Sequence, residues 1–127
     1  MDRATELEDS GLEGLVAQHL RAWLAYSETD TKLSFWRTRD GSEVDFVVYG
    51  EAGFWAIQLQ NSTDVRPADL RPLKSFREDY PESTAILLHR GEERVLRDEV
   101  WCIPVASFLR DLVPGREPTL ALRRRKE

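Results

Sequence analysis

Cysteine is almost missing from this chain of 127 residues: Cys102 is the only one. No intramolecular disulfide can form, so the fold rests on its apolar core and hydrogen bonds, which fits a reducing compartment. Within the apolar run Val100-Trp101-Cys102-Ile103, the thiol reads as a small core residue rather than a reactive group. Long apolar runs are absent too. None approaches the roughly 20 residues of a membrane span, and the acidic start Met1 to Asp9 does not read as a signal peptide. Cations are outnumbered, 18 Lys and Arg against 23 Asp and Glu for a net charge of -5, which argues against a broad basic surface for nucleic acid. There is no internal repeat, no low-complexity tract and no G-x-x-x-x-G-K-[ST] phosphate loop. These absences predict a soluble cytoplasmic protein that does not itself hydrolyse ATP through a P-loop.

What is present is enough for one small domain: 41% of the residues are hydrophobic and 32% charged, which supports a modest core. Its organising stretch is Glu43 to Ser62. Two runs rich in β-branched and aromatic residues, Glu43 to Tyr49 and Phe54 to Gln60, flank Gly50-Glu51-Ala52-Gly53 and read as a hairpin. Tyr49 then faces Phe54, Asp45 faces Gln58 and Glu43 faces Gln60, so four polar side chains share one face. Val44, Phe46, Val48, Trp55, Ile57 and Leu59 make the other face apolar.

Around this hairpin, residues 1–10 read as a frayed lead-in. Leu12, Leu15, Val16, His19, Leu20, Trp23 and Leu24 follow helical spacing to about Tyr26, with Asp9 or Ser10 as N-cap and Glu13 near the start. Leu33 to Arg39 reads as a first strand, with Leu33 and Phe35 on the apolar face, Trp36 and Thr38 on the Asp45 face, and an Asp40-Gly41 turn leading to Glu43. Leu70, Leu73, Phe76 and Tyr80 predict a helix starting near Pro72 and ended by Pro81. Thr84 to His89 reads as a strand buried on both faces, Val100 to Ile103 as a last short strand, and Pro104 to Leu112 as a closing helix. The folded domain spans residues 11–113. Residues 114–127 form a Pro- and Gly-broken tail that carries Arg123, Arg124, Arg125 and Lys126, a run that reads first as solvated and second as a phosphate grip.

Glu-Val-Asp-Phe, a turn, and then apolar-apolar-x-apolar-x-Asn-Ser resembles the PD-(D/E)XK nuclease-like fold. More narrowly, it resembles the uncharacterised domain that follows the ATPase module in a family of prokaryotic AAA-type ATPases. The resemblance implies an α/β (α+β) restriction-endonuclease-like core: helix, three-stranded antiparallel meander, helix, strand, strand, C-terminal helix. It also implies a site in which Asp45 binds Mg²⁺, the acid on the next strand completes the ligand set, a lysine two residues on stabilises the nucleophile, and Glu13 assists. Here the Glu-x-Lys of that pattern is replaced by Gln58-Leu59-Gln60. An amide in place of a carboxylate removes a full ligand charge, and Gln60 brings no cation to a developing phosphorane. Glu43 could stand in beside Asp45 as a metal ligand.

The expectation is therefore a catalytically inactive nuclease-like domain acting as a binding or regulatory module, with an ATPase module or another protein as partner. The alternative is a weak Mg²⁺-dependent DNA nuclease using Asp45, Glu43 and Glu13. Any contact with nucleic acid is expected to be weak and to lie in the Arg123 to Lys126 tail. A reading without a ligand stands beside both: Asp45, Gln58, Glu43 and Gln60 as a cross-strand hydrogen-bonded ladder, and Glu13 as a first-turn acid favoured by the helix dipole. His19 reads as a packed helix residue, and His89, at a strand end, has no partner visible in the sequence.

Overall fold

The computed structural model describes residues 3–26, 30–37, 43–51 and 53–112, with side chains from residue 11 onward. The chain forms α1 (Arg3–Tyr26), β1 (Thr31–Arg37), β2 (Glu43–Gly50), β3 (Gly53–Leu59), a 3₁₀ turn (Pro67–Leu70), α2 (Arg71–Asp79), β4 (Thr84–His89), β5 (Val95–Arg97), β6 (Val100–Pro104) and α3 (Val105–Asp111). The strands build one mixed sheet in the order β1-β2-β3-β4-β6-β5. β1, β2 and β3 form the expected antiparallel meander, while β3, β4 and β6 run parallel. This is a mixed α+β domain with a six-stranded sheet.

Each face of the sheet buries a separate apolar cluster. Val16, Ala17, Leu20 and Trp23 of α1, with Phe108 and Leu112 around α3, cover Phe46, Val48, Trp55, Ile57, Ile86, Leu88 and Ile103. On the opposite face Leu70, Leu73 and Phe76 cover Val44, Val47, Ala56, Ala85, Leu87, Val100 and Cys102. Strands buried on both faces lose the polar alternation of a half-exposed strand, which is why β4 reads as an uninterrupted apolar run. Pro72 sits in the first turn of α2, where its missing N–H breaks no helical bond.

Several expectations are corrected. The first helix begins at Arg3 rather than beside Leu12, so Asp9 and Ser10 lie inside it instead of capping it. Ala and Glu, which that segment contains, are good helix formers. The first strand is Thr31–Arg37; Thr38, Arg39 and the Asp40-Gly41 turn lie outside the described residues, as does the basic tail. Phe35, expected on the apolar face, is 74% exposed. β5 is an additional strand, closed onto β6 by Asp98 and Glu99, both with positive φ (49° and 66°). The Asn-Gly or Asp-Gly signal that marks such two-residue turns in a sequence is missing there.

The β2–β3 register is the one deduced from the hairpin: Tyr49 pairs with Phe54 and Phe46 with Ile57, with Gly50 opposite Gly53. Gly50 has φ of +156°, and a Cβ there would lie 2.3 Å from the Asp30 carbonyl oxygen and 2.4 Å from Thr31 Cα. Only glycine lets β1 pass so closely.

Candidate functional site

Asp45 stands where β2 departs from regular geometry on both sides. Toward β1, Ser34 pairs with Val47 and Trp36 with Val44, so the single residue Phe35 is opposed by two, Asp45 and Phe46. That is a β-bulge, which bends the strand and re-aims side chains. Its effect is visible in the packing: Val44 joins the α2-side cluster, whereas Phe46 and Val48 join the α1-side cluster. The expected single apolar face of Val44, Phe46 and Val48 is thus broken between Val44 and Phe46.

Toward β3, the described backbone pairing stops at Phe46 and Ile57, and side chains take over. The Leu59 N–H donates to Asp45 Oδ2 at 2.9 Å, while the Asp45 N–H donates to Gln58 Oε1 at 3.2 Å. Each side chain supplies the acceptor that a neighbouring strand's carbonyl would otherwise give. Asp45 and Gln58 are therefore brought together as the register predicted, in a reciprocal pair. Gln58 Oε1 is engaged with a backbone donor. On the other side β3 stays attached to β4, since the Gln60 N–H donates to the Leu88 carbonyl at 2.8 Å. The pair lies at the carboxyl end of the parallel strands, where open α/β sheets place their ligands.

Burial raises the Asp45 carboxyl above its ordinary value, the Leu59 N–H opposes that rise, and the charges of Glu13 and Glu43 add to it. Three carboxylates thus share one electrostatic field, with Glu13 reaching it from α1. Glu43 is exposed and forms an ion pair with Arg37. Among the described residues, no three His, Cys, Asp or Glu side chains are grouped so as to hold a metal ion.

The Asn61-Ser62 end of the motif has a local role. Asn61 Oδ1 accepts from Arg90 Nη1 at 2.9 Å, and Ser62 Oγ accepts from the Asp64 N–H at 3.1 Å, which turns the chain after β3. His89, without a partner in the sequence reading, is buried and held twice: the Gly91 N–H donates to Nδ1 and Nε2 donates to the Glu93 carbonyl, both at 2.9 Å. Those bonds assign the neutral ring with its proton on Nε2. Loop carbonyls and amides carry no sequence signal, so this clamp was not legible. His19 lies half-buried on α1 with Nδ1 against the Leu15 carbonyl at 2.9 Å. Burial pushes the Cys102 thiol up, in keeping with a core residue. Among the described residues no helix is long and apolar enough to cross a membrane.

No curated protein and no solved structure matches the chain significantly. Residues 10–108, however, match the family model described as a domain of unknown function (DUF4143); they take in α1 from Ser10 and the sheet with the Asp45–Gln58 pair, and the chain belongs to that family.

Proposed function

We propose that this is a nuclease-like domain of the PD-(D/E)XK type whose catalytic centre has lost its chemistry and which serves as a binding or regulatory module, working beside an AAA-type ATPase module. The observation that carries the reading is the Asp45–Gln58 exchange. An aspartate facing the strand after the turn is where the resembled nucleases hold their metal, and metal-dependent phosphodiester cleavage needs further ligand charge beside it. Here the facing residue is an amide engaged with a backbone N–H, and Gln60 offers no cation. Mg²⁺ keeps most of its water and is held mainly by ligand charge, so one half-buried carboxylate is a weak anchor. Contact with nucleic acid, in this reading, belongs to the Arg123, Arg124, Arg125 and Lys126 tail.

A cleavage assay on single- and double-stranded DNA and RNA with Mg²⁺ and Mn²⁺ tests it. No turnover is expected, and divalent-dependent cleavage abolished by Asp45→Ala would overturn the proposal. One observation favours a second reading, a weak Mg²⁺-dependent nuclease: the charges of Glu13 and Glu43 both reach Asp45, although the three are not grouped closely enough to form a metal site as they stand. In that case calorimetry shows Mg²⁺ binding to the unaltered chain, lost in Asp45→Asn.

A further inference from the structure

The two edges of the sheet are treated differently. β5, at one end, is three residues long. It is tied down by Arg97, whose Nη1 donates to the Val65 carbonyl at 2.7 Å, and by ion pairs from its turn to α2, Asp98 with Lys74 and Glu99 with Arg77. A short, tethered edge resists further pairing. β1, at the other end, is seven residues long, pairs among the described residues with β2 alone, and displays Phe35 at 74% exposure. An edge of that length with an exposed aromatic at its middle is a template for another strand.

We propose that β1 is the two-fold seam of a homodimer, in which β1 of one copy pairs antiparallel with β1 of a second copy about an axis through Ser34. The axis runs perpendicular to the sheet, so it can only pair residues of one face with each other, and full overlap of Thr31–Arg37 occurs when Ser34 meets itself. In that register Leu33 faces Phe35 of the second copy, which covers the exposed ring. Lys32 faces Trp36, a cation–π pairing, and Arg37, neutralised by Glu43 of its own chain, faces Thr31. No cation meets a cation. Sliding the axis to Phe35 would instead set Leu33 against Arg37, and sliding it to Leu33 would leave Lys32 against Ser34. The contact is isologous, the kind of interface that closes a dimer and stops. The aromatic groove of about 410 Å³ lined by Ser34, Phe35, Trp36, Tyr49, Phe54 and Tyr80 opens at this edge, so pairing joins two grooves into one apolar surface.

Sedimentation equilibrium of the full chain from low-micromolar to sub-millimolar concentration tests the proposal. The expected limit is twice the 14.7 kDa chain mass. Phe35→Lys, at an exposed position that leaves the core untouched, halves the mass while circular dichroism stays unchanged. Ser34→Cys puts thiols on the axis with Cα atoms about 4.5–5.5 Å apart, within the span of a disulfide, and mild oxidation then yields a covalent dimer. Lys32→Cys thiols lie about 14 Å apart along the strands and do not cross-link; Cys102 is buried and does not interfere. A chain that stays at 14.7 kDa throughout, a Phe35→Lys variant that remains dimeric, or cross-linking of Lys32→Cys as readily as Ser34→Cys overturns it.

Discussion

Gln58→Glu replaces one amide nitrogen by oxygen and leaves the shape of the side chain intact. The acceptor for the Asp45 N–H, now at 3.2 Å, is kept and becomes charged. The cost lies in the neighbour. Carboxylates on directly opposed residues sit about 5.5 Å apart, and at an effective dielectric of about 20 their repulsion is about 3 kcal/mol. Partial solvent screening lowers this to about 1–3 kcal/mol. At neutral pH the variant should therefore melt roughly 4–12 °C below the parent. Acid should narrow the gap. The Asp45 carboxyl is already raised above 3.8, and a second acid raises both further, so the folded variant binds protons more tightly than its unfolded chain. Its relative stability then grows as pH falls through the raised range and is complete below the unfolded value. Mg²⁺ should act in the same direction at neutral pH, by about 2.7 kcal/mol at a hundred times its dissociation constant. Thermal unfolding at pH 7 and pH 5, with and without MgCl₂, reads all three effects. A variant that melts with the parent under every condition would show that Gln58 does not face Asp45.

Asp45→Asn keeps an acceptor for the Leu59 N–H and removes the charge that burial, Glu13 and Glu43 disfavour. It should raise the urea midpoint at pH 7, and the gain should disappear below about pH 3.8, where the parent carboxyl is protonated folded or unfolded. Gly50→Ala should cost about 3 kcal/mol or more in the same assay, because the added Cβ meets the backbone of Asp30 and Thr31 and cannot be absorbed by a rotamer change. Glu99→Gly should stabilise by about 1 kcal/mol: relief of a left-handed residue (φ 66°) is worth about 1–2 kcal/mol, against an exposed ion pair with Arg77 worth about 0–1 kcal/mol. A lower midpoint in that variant would mean that the ion pair holds the turn.

The hairpin register was legible because its loop chemistry and its flanking apolar runs agree, and from Tyr49 opposite Phe54 the meeting of Asp45 and Gln58 follows. The bulge was not. In Val44-Asp45-Phe46-Val47-Val48 both faces of the strand are apolar, since β2 is covered by α1 on one side and α2 on the other. Reading every second residue as one face therefore meets no contradiction when the register shifts. Phe35, which takes the single position opposite the bulge, was for that reason assigned to a buried face it does not reach. β5 escaped because Val95-Leu96-Arg97 is too short for alternation to register, and the early start of α1 because acidic residues propagate a helix without marking a face.

The mixed direction of the strands bears on how the chain assembles. β1, β2 and β3 close through short connections, so their pairing loses little loop entropy and can form early. Trp55 meets Thr84 only after the chain has crossed over through α2, and β4 meets β6 only after β5 has turned back. Such non-local closures slow folding. Until they occur, the inner edge of β3, with Trp55, Ala56 and Ile57 beside it, stays open to any passing strand. The interval between meander and completed sheet is when this chain is most exposed to aggregation, and substitutions that weaken the docking of Leu73 and Phe76 on that face should lengthen it.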